Sequence, residues 1–436
     1  MKIFDLTLKI NGFPIKKTQK IYDAILNVKD EDYADFTEKR KREIAEYHLI
    51  NNPFYRDLVG SNTFTNWNDL PILNKKNLQQ PIQDRLSVGY TIKNVFLNKT
   101  SGSSGDPFVF AKDKWAHALT WNSIIHKFGQ YGVDNNTSYQ ARFYGIPLDK
   151  IGYYKERLKD LLSKRYRFPI FNLNDTFLET VLAKFKTKKF DHINGYTSSV
   201  VLFAKFLQKK NIILTDICPT LKVCLVTSEM LFDDDKKLME TQFGIPVVNE
   251  YGASELDLIA FQNPKGEWAL NTETLFIEIL DENNQPVPNG VEGKIVITSL
   301  YNKAHPFIRY EIGDVGIIDE KSTAKHAILK KLIGRTNDVA ILPSGRKAPG
   351  LTFYYVTKSV IKDDGNVQEF IIKQHKLDTF EIEYVAKNEL TETEKEEIIK
   401  AGNKYLEPNL NYIFSKKDIL ERTARGKLKQ FQNLIG

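Results

Sequence analysis

A short segment rich in hydroxyl groups and glycine is the part of the sequence best suited to bind an anion. It reads Thr100-Ser101-Gly102-Ser103-Ser104-Gly105-Asp106-Pro107. Glycine lets a backbone bend closely around a ligand, and such a bend can present several N–H and O–H donors to phosphate oxygens. The segment lacks the Gly-Lys-Ser/Thr ending of the common P-loop, so its composition alone fits an ordinary surface turn equally well.

Two further segments combine carboxylates, a tyrosine and a glycine. They are Asn249-Glu250-Tyr251-Gly252-Ala253-Ser254-Glu255 and Ile308-Arg309-Tyr310-Glu311-Ile312-Gly313-Asp314. A tyrosine ring offers a flat face to a nucleobase, and an aspartate can accept hydrogen bonds from both hydroxyls of a ribose. Each residue also has a structural alternative, in which Tyr251 packs in the core and Glu255 caps a helix. Asp314 could likewise be a turn residue before a strand at Val315.

The last basic residues of the chain could supply a cation to such a site. They are Arg422, Arg425, Lys427 and Lys429. A lysine ammonium on its flexible stem can reach phosphate and carboxylate oxygens. The alternative is that Lys427 is one more solvated charge in a basic tail.

A strand–helix–strand unit would position the first of these residues. The helix runs from Asp233 to Gly244 between the apolar segments 221–226 and 245–248, which predicts a parallel sheet. Ligands bind at the carboxyl ends of the strands in such sheets. The residues that follow the two strands are Thr227, Ser228, Glu229, Asn249, Glu250, Tyr251 and Gly252.

From Leu275 onward the sequence pattern predicts antiparallel rather than parallel strands. Leu275–Leu280 and Lys294–Thr298 flank a turn-rich loop, which predicts an antiparallel layer. A loop rich in proline and glycine after Gly334 suggests a domain boundary. The predicted fold is therefore α/β, with a large N-terminal domain over residues 1–335 that combines βαβ parallel sheets and an antiparallel β layer. A small, mobile C-terminal α+β domain would span 336–436.

Smaller elements are predicted at both ends of the chain. In the C-terminal domain, a capping box at Thr391–Glu394 opens a helix that reaches about Leu406, and Tyr412–Phe414 would be the last strand. At the other end, Leu6–Phe13 would be a strand or a docked arm, and contact with a membrane surface stays open.

Composition excludes several classes of protein. The chain has 436 residues, 42% of them hydrophobic, which is too apolar for a disordered protein. No apolar run approaches the ~18 residues of a membrane-spanning helix. Lys plus Arg is 62 and Asp plus Glu is 55, so the net charge of +7 is modest, and the basic clusters lack the interleaved aromatics of single-strand nucleic-acid binders. We therefore expect no nucleic-acid partner.

Cysteine usage and the N-terminal residues bear on the compartment. Cys218 and Cys224 have no second pair, so neither a disulfide scaffold nor a zinc site is expected. Met1–Asp5 carries charges where a signal peptide would be apolar. The expected location is a reducing cytoplasm, and the oligomeric state stays open.

The order of the motifs resembles that of the adenylate-forming superfamily of acyl-CoA synthetases and adenylation domains. The branch that it most resembles contains phenylacetate–CoA ligase and the CapK-type proteins of capsular polysaccharide biosynthesis. The resemblance runs from about residue 95 to residue 430. The matching segments, in the family's order, are 100–107 (phosphate loop), 227–229 (adenine turn), 249–255 (Tyr-Gly-x-Ser/Thr-Glu), 308–314 (Tyr-Arg-x-Gly-Asp), 334–338 (hinge) and 422–427 (C-terminal lysine).

The resemblance implies a role for each segment. ATP phosphates would bind the residues Thr100, Ser101, Gly102, Ser103, Ser104 and Gly105. Tyr251 would stack on adenine, with Thr227, Ser228, Glu229, Gly252 and the edge groups of Asn249 and Glu250 around it. Ser254 would contact the α-phosphate and Glu255 would hold Mg²⁺. Asp314 and Arg335 would contact the ribose, and Arg309 would either do the same or pair with Glu311. Lys427 would enter the site only for adenylation, with Asp338 as the hinge.

One departure from the family pattern concerns charge. Many members carry a lysine in or just after the phosphate loop, whereas this chain has Asp106, Phe108 and Val109 there. Mg²⁺ and Lys427 would then offset more of the phosphate charge.

Three functions are consistent with the motif set. The first is ATP-dependent activation of a small carboxylic acid through an acyl-adenylate, followed by transfer to coenzyme A. In the second, the acceptor is an amine or a sugar in capsule assembly. The third is a nucleotide-binding assembly partner that has lost catalysis, for which the missing loop lysine is the motivation.

Overall fold

The computed structural model describes residues 3–99, 108–146, 150–170, 173–335, 339–349, 352–357, 367–422 and 428–435. The helices are α1 (Ile3–Ile10), α2 (Ile15–Leu26), α3 (Tyr33–Asn51), α4 (Pro53–Val59), α5 (Lys114–Gly129), α6 (Lys150–Leu162), α7 (Asp175–Thr187), α8 (Thr197–Lys209), α9 (Leu214–Ile217), α10 (Asp233–Phe243), α11 (Thr352–Thr357) and α12 (Glu392–Tyr405). None of those described combines the length and hydropathy that crossing a bilayer requires.

The strands form a large sheet, an antiparallel layer, a small C-terminal sheet and two hairpins. They are β1 (Val95–Lys99), β2 (Val109–Asp113), β3 (Gln140–Phe143), β4 (Arg165–Phe168), β5 (His192–Tyr196), β6 (Val223–Thr227), β7 (Val247–Ala253), β8 (Asp257–Gln262), β9 (Trp268–Leu270), β10 (Leu275–Leu280), β11 (Glu292–Ser299), β12 (Tyr310–Ile318), β13 (Leu329–Arg335), β14 (Val339–Ile341), β15 (Lys347–Pro349), β16 (Val367–Lys376), β17 (Thr379–Ala386), β18 (Asn411–Lys416) and β19 (Phe431–Asn433).

The seven-stranded sheet has the order β4-β3-β5-β6-β7-β8-β9. Strands β3 to β7 pair in parallel, whereas β8 and β9 are antiparallel additions at one edge. Every residue of β5 and β6 is buried, as expected for strands covered on both faces. The predicted βαβ unit is confirmed as β6, α10 and β7. Helix α10 starts with three aspartates and ends at Gly244 in the left-handed conformation.

The antiparallel layer has the order β10-β11-β12-β13 and packs against the large sheet. Tyr251, Ile259, Ile297 and Tyr310 belong to one buried cluster that joins the two sheets. Strand β12 begins at Tyr310, so Asp314 lies inside the strand, and the structural alternative of a turn aspartate before a strand at Val315 does not hold. The layer therefore presents Asp314 from a rigid strand.

The C-terminal residues form a small α+β unit. Its sheet has the order β18-β17-β16-β19 and shares a buried cluster with α11 and α12. The capping box of Thr391 and Glu394 is present and opens α12 as predicted. Tyr412–Phe414 lies in β18 but is not the last strand, because β19 follows it and pairs in parallel with β16. The α/β fold with a large N-terminal and a small C-terminal part agrees with the prediction, and the boundary at residue 335 stays a prediction.

The N-terminal segment is a docked arm in helical form rather than a strand. Helix α1 is held by a pair of hydrogen bonds between Asp5 and Asn136 of 3.2 and 3.0 Å, and Phe4 contacts the ring of Trp121 edge-on. Of the two alternatives that the sequence left open, a strand or a docked arm, these contacts support the docked arm.

Candidate active site

The parallel strands bring the two predicted adenine segments side by side. In the register of the sheet, Thr227 of β6 lies between Tyr196 of β5 and Glu250 of β7. Residues 249–253 are not a loop after the strand but its carboxyl half, which pairs with β8. The predicted neighbours therefore lie together on a rigid sheet edge.

Gly252 marks an irregularity at which no larger residue fits. The β7–β8 register shifts between Tyr251 and Gly252, and a Cβ on Gly252 would lie 2.4 Å from the carbonyl oxygen of Asp257. The close backbone approach requires glycine there.

A hydrogen bond joins the tyrosine of one motif to the aspartate of the other. The hydroxyl of Tyr251 donates to Oδ2 of Asp314 over 2.6 Å, and both side chains are buried. The ring of Tyr251 meets Trp268 edge-on at 6.0 Å. The two residues that the sequence assigns to the base and the ribose thus lie together at the junction of the two sheets.

A second hydrogen bond joins β12 to the turn between β7 and β8. The hydroxyl of Tyr310, the first residue of β12, donates to Oε1 of Glu255 over 3.1 Å. Glu255 is only 8% exposed, so its carboxylate is largely removed from water. Among the described residues, no cluster of three or more His, Cys, Asp or Glu could hold a metal ion. A cation here would rely on Glu255 and on oxygens from a ligand.

Lys112 is a site residue that the motifs did not single out. Its Nζ pairs with Asp257 and donates to the carbonyl oxygen of Ser254 at 3.2 Å, and the residue is 4% exposed. Lys112 lies on β2, the strand that follows the predicted phosphate loop. The only sequence signal for it was a charge at an interior position of an apolar strand.

The hairpin β1–β2 brackets the predicted phosphate loop. Lys99 pairs with Val109 in its register, so the two ends of the connection meet. The residues Thr100, Ser101, Gly102, Ser103, Ser104 and Gly105 lie outside the described residues. Because Lys112 ties β2 to Ser254, the hairpin is anchored beside the segment that carries Glu255.

Burial changes the protonation of Glu250. Desolvation raises the pKa of its carboxyl to about 7, although a hydrogen bond with Thr227 and the charge of Arg142 oppose the rise. The Arg142 guanidinium stacks 4.0 Å over the ring of Tyr144. The predicted adenine edge therefore carries a carboxyl group whose pKa is raised toward neutral pH.

Glu229 links the large sheet to the C-terminal residues. Its Oε2 accepts a hydrogen bond from the backbone N–H of Ser198 at 2.7 Å, and its Oε1 accepts one from the N–H of Leu428 at 3.0 Å. Burial raises the pKa of Glu229, against which these bonds and the charge of Arg422 act. The predicted place of Glu229 beside adenine stays a prediction, and the contacts observed are with the C-terminal segment.

Lys427 and the hinge residue Asp338 lie outside the described residues. Leu428, which follows Lys427, is the residue that Glu229 binds. A second contact nearby joins Arg422 Nη1 to the Ser198 hydroxyl at 3.5 Å, while Arg422 also pairs with Glu369. The C-terminal segment is thus anchored on α8 and on the turn after β6.

Two arginines of the motifs differ in their placement. The backbone of Arg335 pairs with Asp314 across β12 and β13, and its side chain lies outside the description. Arg309 is buried, pairs with Glu278 at 3.3 Å and donates to the carbonyl oxygens of Asn68 and Leu70. The pairing of Arg309 with Glu311 is therefore wrong, and Arg309 instead ties the segment between α4 and β1 to β10.

Comparison with known proteins adds relatives of two kinds, although no family model matches the chain. Protein CapK of Staphylococcus aureus is 24% identical over 433 residues, which cover 94% of this chain and 91% of CapK. Phenylacetate-coenzyme A ligase of Aromatoleum evansii is 28% identical over 131 residues, only 28% of this chain and 29% of the ligase.

Solved structures share the fold at low sequence identity. A 2-hydroxyisobutyryl-CoA ligase in its postadenylation state, in complex with 2-HIB-AMP, superimposes with a TM-score of 0.69 at 16% identity, over 90% of this chain and 88% of the ligase. The same ligase in its thioesterification state gives a TM-score of 0.57 over 93% of this chain and 90% of the ligase, at 15% identity. The amide bond synthetase McbA of Marinactinospora thermotolerans gives 0.54 at 14% identity, over 76% of this chain and 67% of McbA.

Proposed function

We propose that this chain is an adenylate-forming enzyme of the branch that contains CapK and phenylacetate–CoA ligase, and that it activates a small carboxylic acid with ATP. The product of the first step would be an acyl-adenylate, and coenzyme A would accept the acyl group in the second. The observation that carries the proposal is the pair of hydrogen bonds between the two motifs, Tyr251 to Asp314 and Tyr310 to Glu255.

The chemistry explains why these groups would be needed. A carboxylate is a poor acyl donor, because its leaving group would be an oxide. Its attack on the α-phosphate of ATP gives a mixed anhydride and releases pyrophosphate, but it brings two anions together. The site must hold the attack in line and offset negative charge.

The nucleoside would lie at the junction of the two sheets. Asp314, held by Tyr251, would accept hydrogen bonds from the ribose hydroxyls, and the backbone partner Arg335 lies next to it. The Tyr251 ring would face adenine, with Asn249 and Glu250 along its edge. Glu250 can donate as well as accept near neutral pH, because burial raises its pKa to about 7.

Mg²⁺ fits the donor set at Glu255. This ion is usually held by one or two carboxylates together with substrate phosphates, and a single buried carboxylate near the proposed phosphate site is such an arrangement. When bound, it would neutralise phosphate charge. Tyr310 would keep Oε1 of Glu255 oriented, and Ser254 would contact the α-phosphate.

The proposal also assigns roles to the phosphate loop and to Lys427, which lie outside the described residues. Thr100–Gly105 would hold the β- and γ-phosphates, and Lys427 would contact the reacting oxygens. The binding of Leu428 to Glu229 supports this role, because it holds the next residue of the chain against the large sheet. The higher TM-score against the postadenylation state than against the thioesterification state supports assigning this arrangement to the first half-reaction.

A second acceptor remains a specific alternative. The similarity to CapK extends over 94% of this chain, and an amide bond synthetase shares the fold. These two findings motivate an amine or a sugar as the alternative acceptor to coenzyme A. We propose the cytoplasm as the location for either route.

The test of the proposal is carboxylate-dependent exchange of labelled pyrophosphate into ATP. A panel of aryl, short-chain, hydroxy and amino acids should contain at least one acid that supports exchange, and Asp314→Asn should reduce it. Asp281→Asn, a substitution in the loop between β10 and β11, is the matched control. Absence of exchange across the panel would contradict the proposal and favour a non-catalytic nucleotide-binding protein. Mass spectrometry with and without coenzyme A then separates a thioester from an amide or ester product.

A further inference from the structure

Helix α6 has its polar side against the protein and its apolar side in solvent. At 100° per residue, Ile151, Tyr154, Leu158, Leu161 and Leu162 fall within an arc of about 100°. Four of them are strongly exposed: Ile151 at 84%, Tyr154 at 71%, Leu158 at 58% and Leu161 at 75%. A surface helix normally buries such a stripe, so the orientation requires an explanation.

The opposite side of α6 is fixed by buried ion pairs. Asp160 is 3% exposed and pairs with both Arg165 and Arg167 of β4. Glu156 pairs with Arg167 at 2.9 Å, and Arg167 also donates to the carbonyl oxygen of Gly145. Rotating the helix to bury its apolar stripe would separate these charges inside the protein, which is strongly unfavourable. The ion pairs with β4 therefore keep the apolar stripe of α6 exposed to solvent.

The charges that flank the exposed stripe are all positive. Both acidic residues of α6, Glu156 and Asp160, are bound to arginines of β4. The exposed charged side chains of the helix are Lys150, Lys155 and Lys159, of which Lys159 also pairs with Glu156, and Lys164 is exposed just beyond its end. Lys155 and Lys159 lie along one margin of the stripe and Lys150 along the other.

We propose that the exposed face of α6 binds an anionic lipid bilayer. An apolar stripe bordered by lysines is typical of helices that lie in the plane of a membrane interface, where apolar side chains enter the acyl boundary and lysines meet anionic headgroups. A second copy of the chain fits less well, because a two-fold contact through this face would bring the same lysines of both copies together. The helix has 13 residues, so about 20 Å of its length can contact the surface.

Cosedimentation of the full-length protein with vesicles tests the proposal. Wild type should bind vesicles that contain phosphatidylglycerol, and should bind vesicles of phosphatidylcholine alone much more weakly. Leu158→Ser with Leu161→Ser should lower the partition coefficient about tenfold. Ile50→Ser removes an apolar side chain of similar exposure on α3 and is the matched control, which should bind as wild type does.

Two further measurements test the role of the lysines and the oligomeric state of the protein. Lys150→Gln with Lys155→Gln should weaken binding to the anionic vesicles and reduce its salt dependence, and far-ultraviolet circular dichroism checks that each variant is folded. Sedimentation of wild type without vesicles is measured in parallel. The proposal is overturned by wild type that does not bind anionic vesicles, by unchanged binding of the leucine variant, or by a dimer that this variant dissociates. None of these measurements depends on catalytic activity.

Discussion

The hydroxyl of Tyr251 and the carboxylate of Asp314 are 63 residues apart in sequence and 2.6 Å apart in the structure. They come from different sheets, and the hydrogen bond closes the junction between β7 and β12. If Asp314 holds the ribose, Tyr251 has two functions: its ring contacts the base and its hydroxyl orients the aspartate.

Tyr251→Phe separates these two functions. The ring remains, whereas Asp314 loses a charge-assisted hydrogen bond, so we expect the KM for ATP to rise about fivefold, equivalent to ~1 kcal/mol. Pyrophosphate exchange at varied ATP concentration measures it. The control is Tyr131→Phe, which removes a hydrogen bond to the Gln262 carbonyl outside the site. An unchanged KM for ATP would show that Tyr251 does not position Asp314 for the nucleotide.

Tyr310→Phe tests how Glu255 is held. Without the 3.1 Å hydrogen bond the carboxylate can turn away from the proposed metal, so the Mg²⁺ concentration for half-maximal exchange should rise by roughly threefold to tenfold. Glu255→Gln should raise it further. A magnesium titration of the exchange reaction measures both. If neither variant alters the magnesium dependence, the metal ligand is another group.

Glu250 should make the protein less stable as the pH rises from about 5 through 7. Its pKa is raised in the folded protein to about 7, above the ordinary value of 4.5 that an unfolded chain would show. Between these values the native state holds a proton that the unfolded state has released, so raising the pH favours unfolding. The loss should be on the order of 1–3 kcal/mol and complete above pH 8.

Urea unfolding of wild type and Glu250→Gln between pH 5 and 9 measures this effect. The difference between the two free energies of unfolding removes the contribution of the other titrating groups. Relative to the variant, the free energy of unfolding of wild type should fall as the pH rises from 5 to about 8 and then stay constant. A difference that does not vary with pH would mean that Glu250 is ionised throughout.

Glu229→Ala should affect the two half-reactions unequally. The carboxylate binds the N–H of Leu428 next to Lys427, so its loss should slow adenylate formation about tenfold. Acyl transfer from a supplied acyl-adenylate should change less than about twofold, because the proposed C-terminal rearrangement releases this contact. Lys427→Ala should show the same asymmetry more strongly.

Single-turnover assays of each half-reaction measure the asymmetry. Glu282→Ala, in the exposed loop between β10 and β11, is the control, and Lys429→Ala controls for the general loss of positive charge near Lys427. Equal losses in both half-reactions would contradict a role in adenylation alone.

Local signals in the sequence determined several elements closely. Gly244 ends α10 because it adopts the left-handed conformation, and the capping box at Thr391 opens α12. Both signals act within a few residues, where backbone conformation and hydrogen bonding are set by side-chain type. The apolar strands on either side of α10 determined the parallel sheet in the same way, and the motif order indicated a resemblance to the adenylate-forming superfamily.

The placement of the site residues was decided by the tertiary structure. Asp314 lies inside β12 rather than in a turn, and Arg309 binds Glu278 rather than Glu311, because those partners come from other strands. Lys112 enters the site for the same reason, through its contact with Ser254. No pattern within a short window specifies which strands of two sheets will meet.

Helix α6 shows the same division most clearly. Its sequence determined an amphipathic helix, and by itself that pattern predicts the apolar side inward. The tertiary structure decided the opposite, because Arg165 and Arg167 of β4 bind Asp160, and separating buried charges costs more than exposing leucines. Local sequence therefore determined elements such as α10 and α12, and long-range pairing of charges and hydrogen bonds decided which faces of the elements meet.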